Sequence, residues 1–215
     1  MSSGTAVKDA RIRQLTAAAR ELFAKRGFEK TSMEDVARRS GCAVGSMYYH
    51  IKSKEELCAH IIIEAASALP QKLQTLITGD LATDSYRLAA TCLDYHRDNH
   101  IYYEIIHQAE AGQRRGVVSP ELMEEIIVLK RQAMEVYAGL LRQHREAGTL
   151  RRDVDEMEIT AVLWAWLHGI ATSDSFQLES VAGLGVEDMI RTSLELVLAG
   201  ITRGEDMPKG GGARG

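Results

Sequence analysis

Apolar residues recur along this chain at steps of three and four, the spacing of one face of an α-helix, and no long run shows the alternation of a half-buried strand. Ile12, Leu15, Ala19, Leu22 and Phe23 make one stripe and predict a helix over residues 8–26, stopped by Gly27, with Phe28 packing behind it as a plug. Ser32, with Asp35 three residues later, opens a second helix at Met33, and Val36 and Ala37 form its apolar face. Gly41 follows where a left-handed residue ends a helix at little cost. A third, short helix over residues 44–50 turns Met47 inward, together with Ile51 four residues on. That leaves Val44, Gly45, Ser46, Tyr48, Tyr49 and His50 on or near its outer side.

Ser53 and Glu56 form a capping box that starts a helix at Lys54, with Leu57, Ile61, Ala65 and Ala68 inward. Pro70 lies within this pattern, which resumes at Leu73, Leu76 and Ile77, so one long linking helix with a kink is expected. Residues 78–84 read as a turn, residues 85–99 and 101–110 as two helices, and residues 112–118 as a loop. Ser119 caps the next helix, Pro120 takes its first position, and it runs to Glu146 before Gly148 stops it. Asp155 with Glu158 opens a helix carrying Ile159, Val162, Leu163, Trp166, Leu167 and Ile170. The last helix begins near Glu187 and carries Met189, Ile190, Leu194, Val197, Leu198 and Ile201. Residues 204–215 are too polar and glycine-rich to fold. The expected fold class is all-α: an N-terminal three-helix bundle over residues 1–54, a helical body over residues 55–203, and a flexible tail. The last two helices carry more apolar surface than a small body can bury, and pairing with a second copy as a four-helix bundle would cover it.

Composition adds an asymmetry. The chain has 215 residues and 45% hydrophobic content, enough for one or two compact units with a core. Its net charge is −4, but residues 1–54 hold 11 Lys or Arg against 5 acids, a balance of +6, and the remainder carries −10. A basic head on an acidic body suits binding of a polyanion through one end. No apolar stretch reaches the roughly 18 residues a membrane helix needs, and the first residues lack a signal-peptide core. The 3 cysteines form no CxxC and read as reduced thiols of a cytoplasmic protein. No nucleophile elbow, phosphate-binding loop, zinc-protease or dinucleotide fingerprint occurs, so neither an enzyme nor a cofactor is expected.

Two helices joined by a turn of this length form a helix-turn-helix, whose second helix fits the major groove of DNA. Residues 19–37, ARELFAKRGFEKTSMEDVA, and residues 41–57, GCAVGSMYYHIKSKEEL, resemble the DNA-binding domain of the TetR family of bacterial transcriptional repressors. Ile51 stands where family members often have Phe, Cys42 where they often have Val, and a charged side chain common near Val44 and Gly45 is missing. The resemblance implies that Thr31 and Ser32 anchor phosphates, that Lys54 holds another, and that Tyr48 and His50 grip the backbone. Val44, Gly45, Ser46 and Tyr49 would face base edges. It further implies a homodimer on a palindromic double-stranded operator.

The same resemblance implies a pocket for a small-molecule effector inside the body. Cys92, Tyr95, Tyr102, Tyr103, Ile106, Tyr137, Trp164 and Trp166 are its candidate lining, and their aromatic bulk with few polar tips suits a mostly apolar ligand. Residues 140–155, LLRQHREAGTLRRDVD, are similar to the branch that senses acyl-CoA thioesters; a flat aromatic drug or a signalling lipid stays open. His96, His100, Glu104 and His107 follow steps of four, four and three, a spacing that can ligate a metal, but a helix boundary near Asn99 or His100 would spoil it, and no metal site is assigned. The competing function is a helical small-molecule carrier that never touches DNA, which would need the basic head to be coincidental.

Overall fold

A computed structural model of the chain describes residues 3–111, 118–171, 180–181 and 183–202, without the side chains of residues 3–6 and 107–111. The glycine-rich segment 204–215 and most of the loop expected at 112–118 lie outside the described residues. Among the described residues the protein is all-helical: α1 (Ser3–Arg26), α2 (Met33–Ser40), α3 (Val44–His50), α4 (Lys54–Ser67), α5 (Leu69–Gln74), α6 (Leu81–Ala111), α7 (Pro120–Glu146), α8 (Glu156–Ala171) and α9 (Val186–Ile201). Their β structure is one isolated bridge between Leu150 and Thr202.

The starts follow the capping chemistry. Ser32 accepts the Asp35 N–H, and the Asp35 carboxylate accepts the Ser32 N–H in return. Ser53 accepts the Glu56 N–H, while the Glu56 carboxylate takes the Lys52 N–H at 2.7 Å. Asp155 accepts from the Glu158 N–H at 2.8 Å. Two expectations are corrected. The linking helix does not kink at Pro70 but breaks one residue before α5, placing Pro70 in that helix's first turn, where its missing N–H leaves no bond unmade. The boundary expected near Asn99 is absent: α6 runs unbroken from Leu81, capped by Asp80, whose carboxylate accepts the Thr83 N–H at 2.7 Å. Even so, no group of three or more His, Cys, Asp or Glu among the described residues is placed to hold a metal, and the His107 side chain falls outside them.

The chain divides into two compact units, one from Met1–Ala68 and Asn99–Leu129, the other from Leu69–Asp98 and Lys130–Gly215. In the first, α1 packs on α2, α3 and α4 around Leu15, Ala19, Phe23, Val36, Met47, Leu57 and Ile61. Thr16 is fully buried there, its hydroxyl within 3.1 Å of the Glu64 carboxylate, and Arg20 donates to the Ile61 carbonyl at 2.9 Å. In the second, α8 packs on α9 within a core of Leu73, Leu88, Leu93, Leu140, Leu141, Leu163, Ile190 and Leu194.

Asp84 pins the turn before α6. It is fully buried and accepts from the Thr78 N–H, the Thr78 hydroxyl and the Gly79 N–H at 2.8–2.9 Å. Burial pushes its carboxyl upward, but these donors outweigh burial and hold it below the ordinary 3.8. Asp84→Ala strands three donors and is expected to cost about 2–3 kcal/mol in chemical unfolding at pH 7. Because the folded carboxyl titrates below the unfolded one, its contribution is complete above 3.8 and fades as pH falls through the lowered folded value. The gap between wild type and variant should therefore close in acid.

Candidate nucleic-acid interface and body cavity

The turn between α2 and α3 rests on Gly41, at φ 69°, whose N–H bonds the Ala37 and Arg38 carbonyls. A side chain in that left-handed conformation costs roughly 1 kcal/mol. Met47 and Ile51 are completely buried, as their spacing predicts. The opposite side of α3 is bare: Val44 is 41% exposed, Tyr48 43% and Tyr49 84%. Gly45 and Ser46 are exposed beside them, and nothing lies within 4 Å of where a Gly45 Cβ would stand. His50 is half-buried, edge-on to the Tyr49 ring at 5.2 Å.

Three residues assigned to phosphates are committed within the fold. Thr31 is 1% exposed, and its hydroxyl donates to the Gly27 carbonyl at 2.9 Å, so its hydroxyl is withdrawn from the surface. Lys54 donates to the Phe28 carbonyl at 2.9 Å while its ammonium sits 4.3 Å from the Phe28 ring centre, which ties the start of α4 to the end of α1. Ser32 is exposed, but its side chain caps α2. Much of the head's charge is also paired: Asp35 faces Arg26 and Arg38, and Glu21 faces Lys25 and Arg39. Hydrogen bonds from Lys25 and Arg39 hold the Glu21 carboxyl below its ordinary value. Lys30 and Lys52 are exposed as well, with no signal in the helical pattern to single them out.

The second unit encloses a cavity between α5, α6, α7, α8 and α9. It is a recess of about 560 Å³ counting the solvent at its open side, of which about 50 Å³ is free for water-sized molecules. Four of the expected residues, Cys92, Tyr137, Trp164 and Trp166, line it together. Tyr95 packs against the surrounding core without lining the cavity. Tyr102, Tyr103 and Ile106 are buried in the first unit; Tyr102 lies against Phe23 and under the Arg20 guanidinium. The aliphatic lining, including Leu88, Met134, Leu163 and Ile190, was missed in choosing by aromatic content, although it sits on the helical stripes. Burial pushes the Cys92 thiol and the Tyr137 hydroxyl each up to about 12, so both are neutral at physiological pH.

Residues 15–61 match the sequence model of the bacterial regulatory proteins, tetR family. Residues 15–61 thus carry the N-terminal domain of that family. It is 26% identical over 152 residues to the HTH-type transcriptional repressor KstR2 of Rhodococcus jostii, covering 70% of this chain and 73% of that one. Its fold is shared with the transcriptional regulator FadR of Bacillus subtilis in complex with stearoyl-CoA, at a TM-score of 0.63 and 18% identity over 88% of this chain and 98% of that one. The ketosteroid transcriptional regulator KstR2 of Mycobacterium tuberculosis superposes at 0.55 and 23% identity over 90% and 95%. The family and these relatives are transcriptional regulators, not enzymes. No helix among the described residues is long and apolar enough to cross a membrane.

The internal duties of Lys54 have a measurable consequence. Lys54→Ala should destabilise the protein by about 1–2 kcal/mol through loss of one hydrogen bond and one ring contact. Tyr49→Ala, on the bare side of α3, should change stability by less than about 0.5 kcal/mol. Urea unfolding followed by circular dichroism at 222 nm compares the two.

Proposed function

We propose that this protein is a cytoplasmic, ligand-responsive transcriptional repressor. It binds a palindromic operator as a homodimer through α3 and leaves it when a small, mostly apolar molecule enters the second unit's cavity. The observation that carries the DNA reading is the division of α3 into a fully buried side and an open side of Val44, Gly45, Ser46, Tyr48 and Tyr49. A core hairpin would not leave a tyrosine 84% exposed beside a basic cluster. In this reading Ser46 and Tyr49 read base edges, Val44 meets a thymine methyl, and Gly45 admits the backbone. Tyr48 and His50 hold the phosphate ridges, with the N-termini of α2 at Ser32 and α4 at Lys54 offering backbone N–H groups while those two side chains stay in the fold.

The dimer reading rests on α8 and α9. Ala161, Val162, Ala165, Trp166 and Gly169 form an exposed stripe on α8, and Thr192, Leu196, Ala199 and Gly200 form one on α9. Leu196 is 65% exposed and Trp166 40%. Small residues at steps of three and four let two such pairs approach closely, and burying the leucine and tryptophan favours association. The effector reading rests on the cavity and on relatives named for ketosteroids or solved with stearoyl-CoA. An acyl thioester is one ligand such a cavity admits through its chain.

Genomic fragments captured on the purified protein and sequenced should share an inverted repeat, and their retention should fall steeply as salt rises. Ser46→Ala and Tyr49→Ala should change which bases are preferred within that repeat. Leu196→Glu should give monomers in sedimentation and weaken the shift of the full repeat. A wild-type protein that is monomeric and shifts no duplex in dilute buffer would overturn the repressor reading in favour of a carrier.

A further inference from the structure

The cavity's chemistry narrows the class of effector beyond "mostly apolar", an inference that rests on the proposed effector site. Among the described residues no charged side chain and no imidazole lines the cavity. Its most prominent polar feature is a pair of hydroxyls, Ser85 on α6 and Tyr137 on α7, 3.0 Å apart and 1% and 8% exposed. Thr160 also lines it, but its hydroxyl is spent on the Glu156 carbonyl at 2.6 Å; Ser193 and the indole N–H groups of Trp164 and Trp166 complete the polar lining, on residues less deeply buried than the pair. Ser85 and Tyr137 hold two O–H hydrogens between them, and their mutual bond uses one. No other acceptor among the described residues takes the second. Burial keeps the phenol neutral, so the pair always has a hydrogen to give.

The geometry points to the Ser85–Tyr137 pair as the recognition donor for one neutral oxygen acceptor, a ketone, ester or thioester carbonyl, on an otherwise apolar effector whose charged parts, if any, stay outside the cavity. An ionised carboxylate would enter a lining with no cation to meet it and lose several kcal/mol of hydration, whereas a carbonyl meets a donor that is already desolvated. The free space of about 50 Å³ is smaller than such a ligand, so entry must widen the recess. Met134, an unbranched side chain, is the lining group best able to yield.

The two tryptophans of the chain, Trp164 and Trp166, both line the cavity, so intrinsic emission reports its occupancy. Three probes of similar bulk separate the possibilities: cyclohexyl methyl ketone, ethylcyclohexane and cyclohexanecarboxylate, titrated at pH 7 into wild type and into Ser85→Ala/Tyr137→Phe. The double change is required because either hydroxyl alone could serve the ligand. The ketone should bind wild type and weaken about tenfold in the double variant, the loss of one neutral hydrogen bond. Ethylcyclohexane should bind both proteins alike, and the carboxylate should bind neither. If the double variant does not fold by circular dichroism, the wild-type contrast between ketone and carboxylate still decides. Equal weakening of ketone and hydrocarbon, or a carboxylate that binds wild type as tightly as the ketone, overturns the donor assignment while leaving the cavity as an effector site. Silence from all three probes removes the cavity itself, and this inference with it, but leaves operator binding untouched.

Discussion

The complete burial of Met47 and Ile51 is the constraint on which the head depends. A seven-residue helix has too few internal hydrogen bonds to be stable alone. What holds α3 is the apolar contact of these two residues with the α1 and α2 core, together with the Gly41 turn that delivers the chain to it. Burying two large side chains contributes about 3–6 kcal/mol before entropy, comparable with the whole net stability of a small domain. Fixing that side also fixes the other. With Met47 inward, Tyr48 and Tyr49 have no choice but to stand outward, and the surface offered to DNA follows from the packing beneath it.

That dependence explains how residues in a binding motif divide their labour. Thr31 and Lys54 belong to the motif, yet their polar groups close the joint between α1, α2 and α4 through the Gly27 and Phe28 carbonyls. Both carbonyls lie just past the end of α1, and the Phe28 carbonyl also accepts the Thr31 N–H at 3.2 Å. The Thr31 hydroxyl and the Lys54 ammonium bond there, tying the starts of α2 and α4 to the segment that follows α1. A residue can thus matter for DNA binding because it shapes the reading head, with no phosphate contact of its own. The ion pairs of Asp35 and Glu21 act in the same direction: they spread the head's positive charge over a fixed scaffold instead of leaving it as loose lysine tips.

How much of this was legible in the sequence depended on whether the governing signal was local. Ser32, Gly41, Ser53 and Asp155 act on residues within four positions, and they mark real helix ends. Asp80 is the same kind of signal, overlooked because it sits in a segment read as a turn; recognising it moves the start of α6 forward to Leu81. The break expected near Asn99 does not occur, and the polar residues there, Arg97, Asp98, Asn99 and His100, are carried within α6. The cavity lining was the least legible. Choosing by aromatic type picked out Tyr137 and Trp164, but it also picked Tyr102 and Tyr103, which serve the other unit's core. A period of 3.6 says which side of a helix is buried and not against what. On α6, residues 81–98 and residues from 99 onward belong to different units, so one continuous stripe serves two cores.

That double membership bears on how an effector could act. A ligand moves an equilibrium only through the difference in its affinity for the two arrangements. A rigid cavity that already fitted its ligand would bind equally well in both and switch nothing. This cavity has about 50 Å³ free, well below the few hundred Å³ a ligand occupies. In the proposed switch, occupation displaces lining groups, and the cost of displacing them is what would make binding selective for a widened state. α6 and α7 each carry residues of both units, and Tyr102, Tyr103 and Ile126 belong to the first unit's buried set. The narrowness of the cavity is thus compatible with the proposed switch.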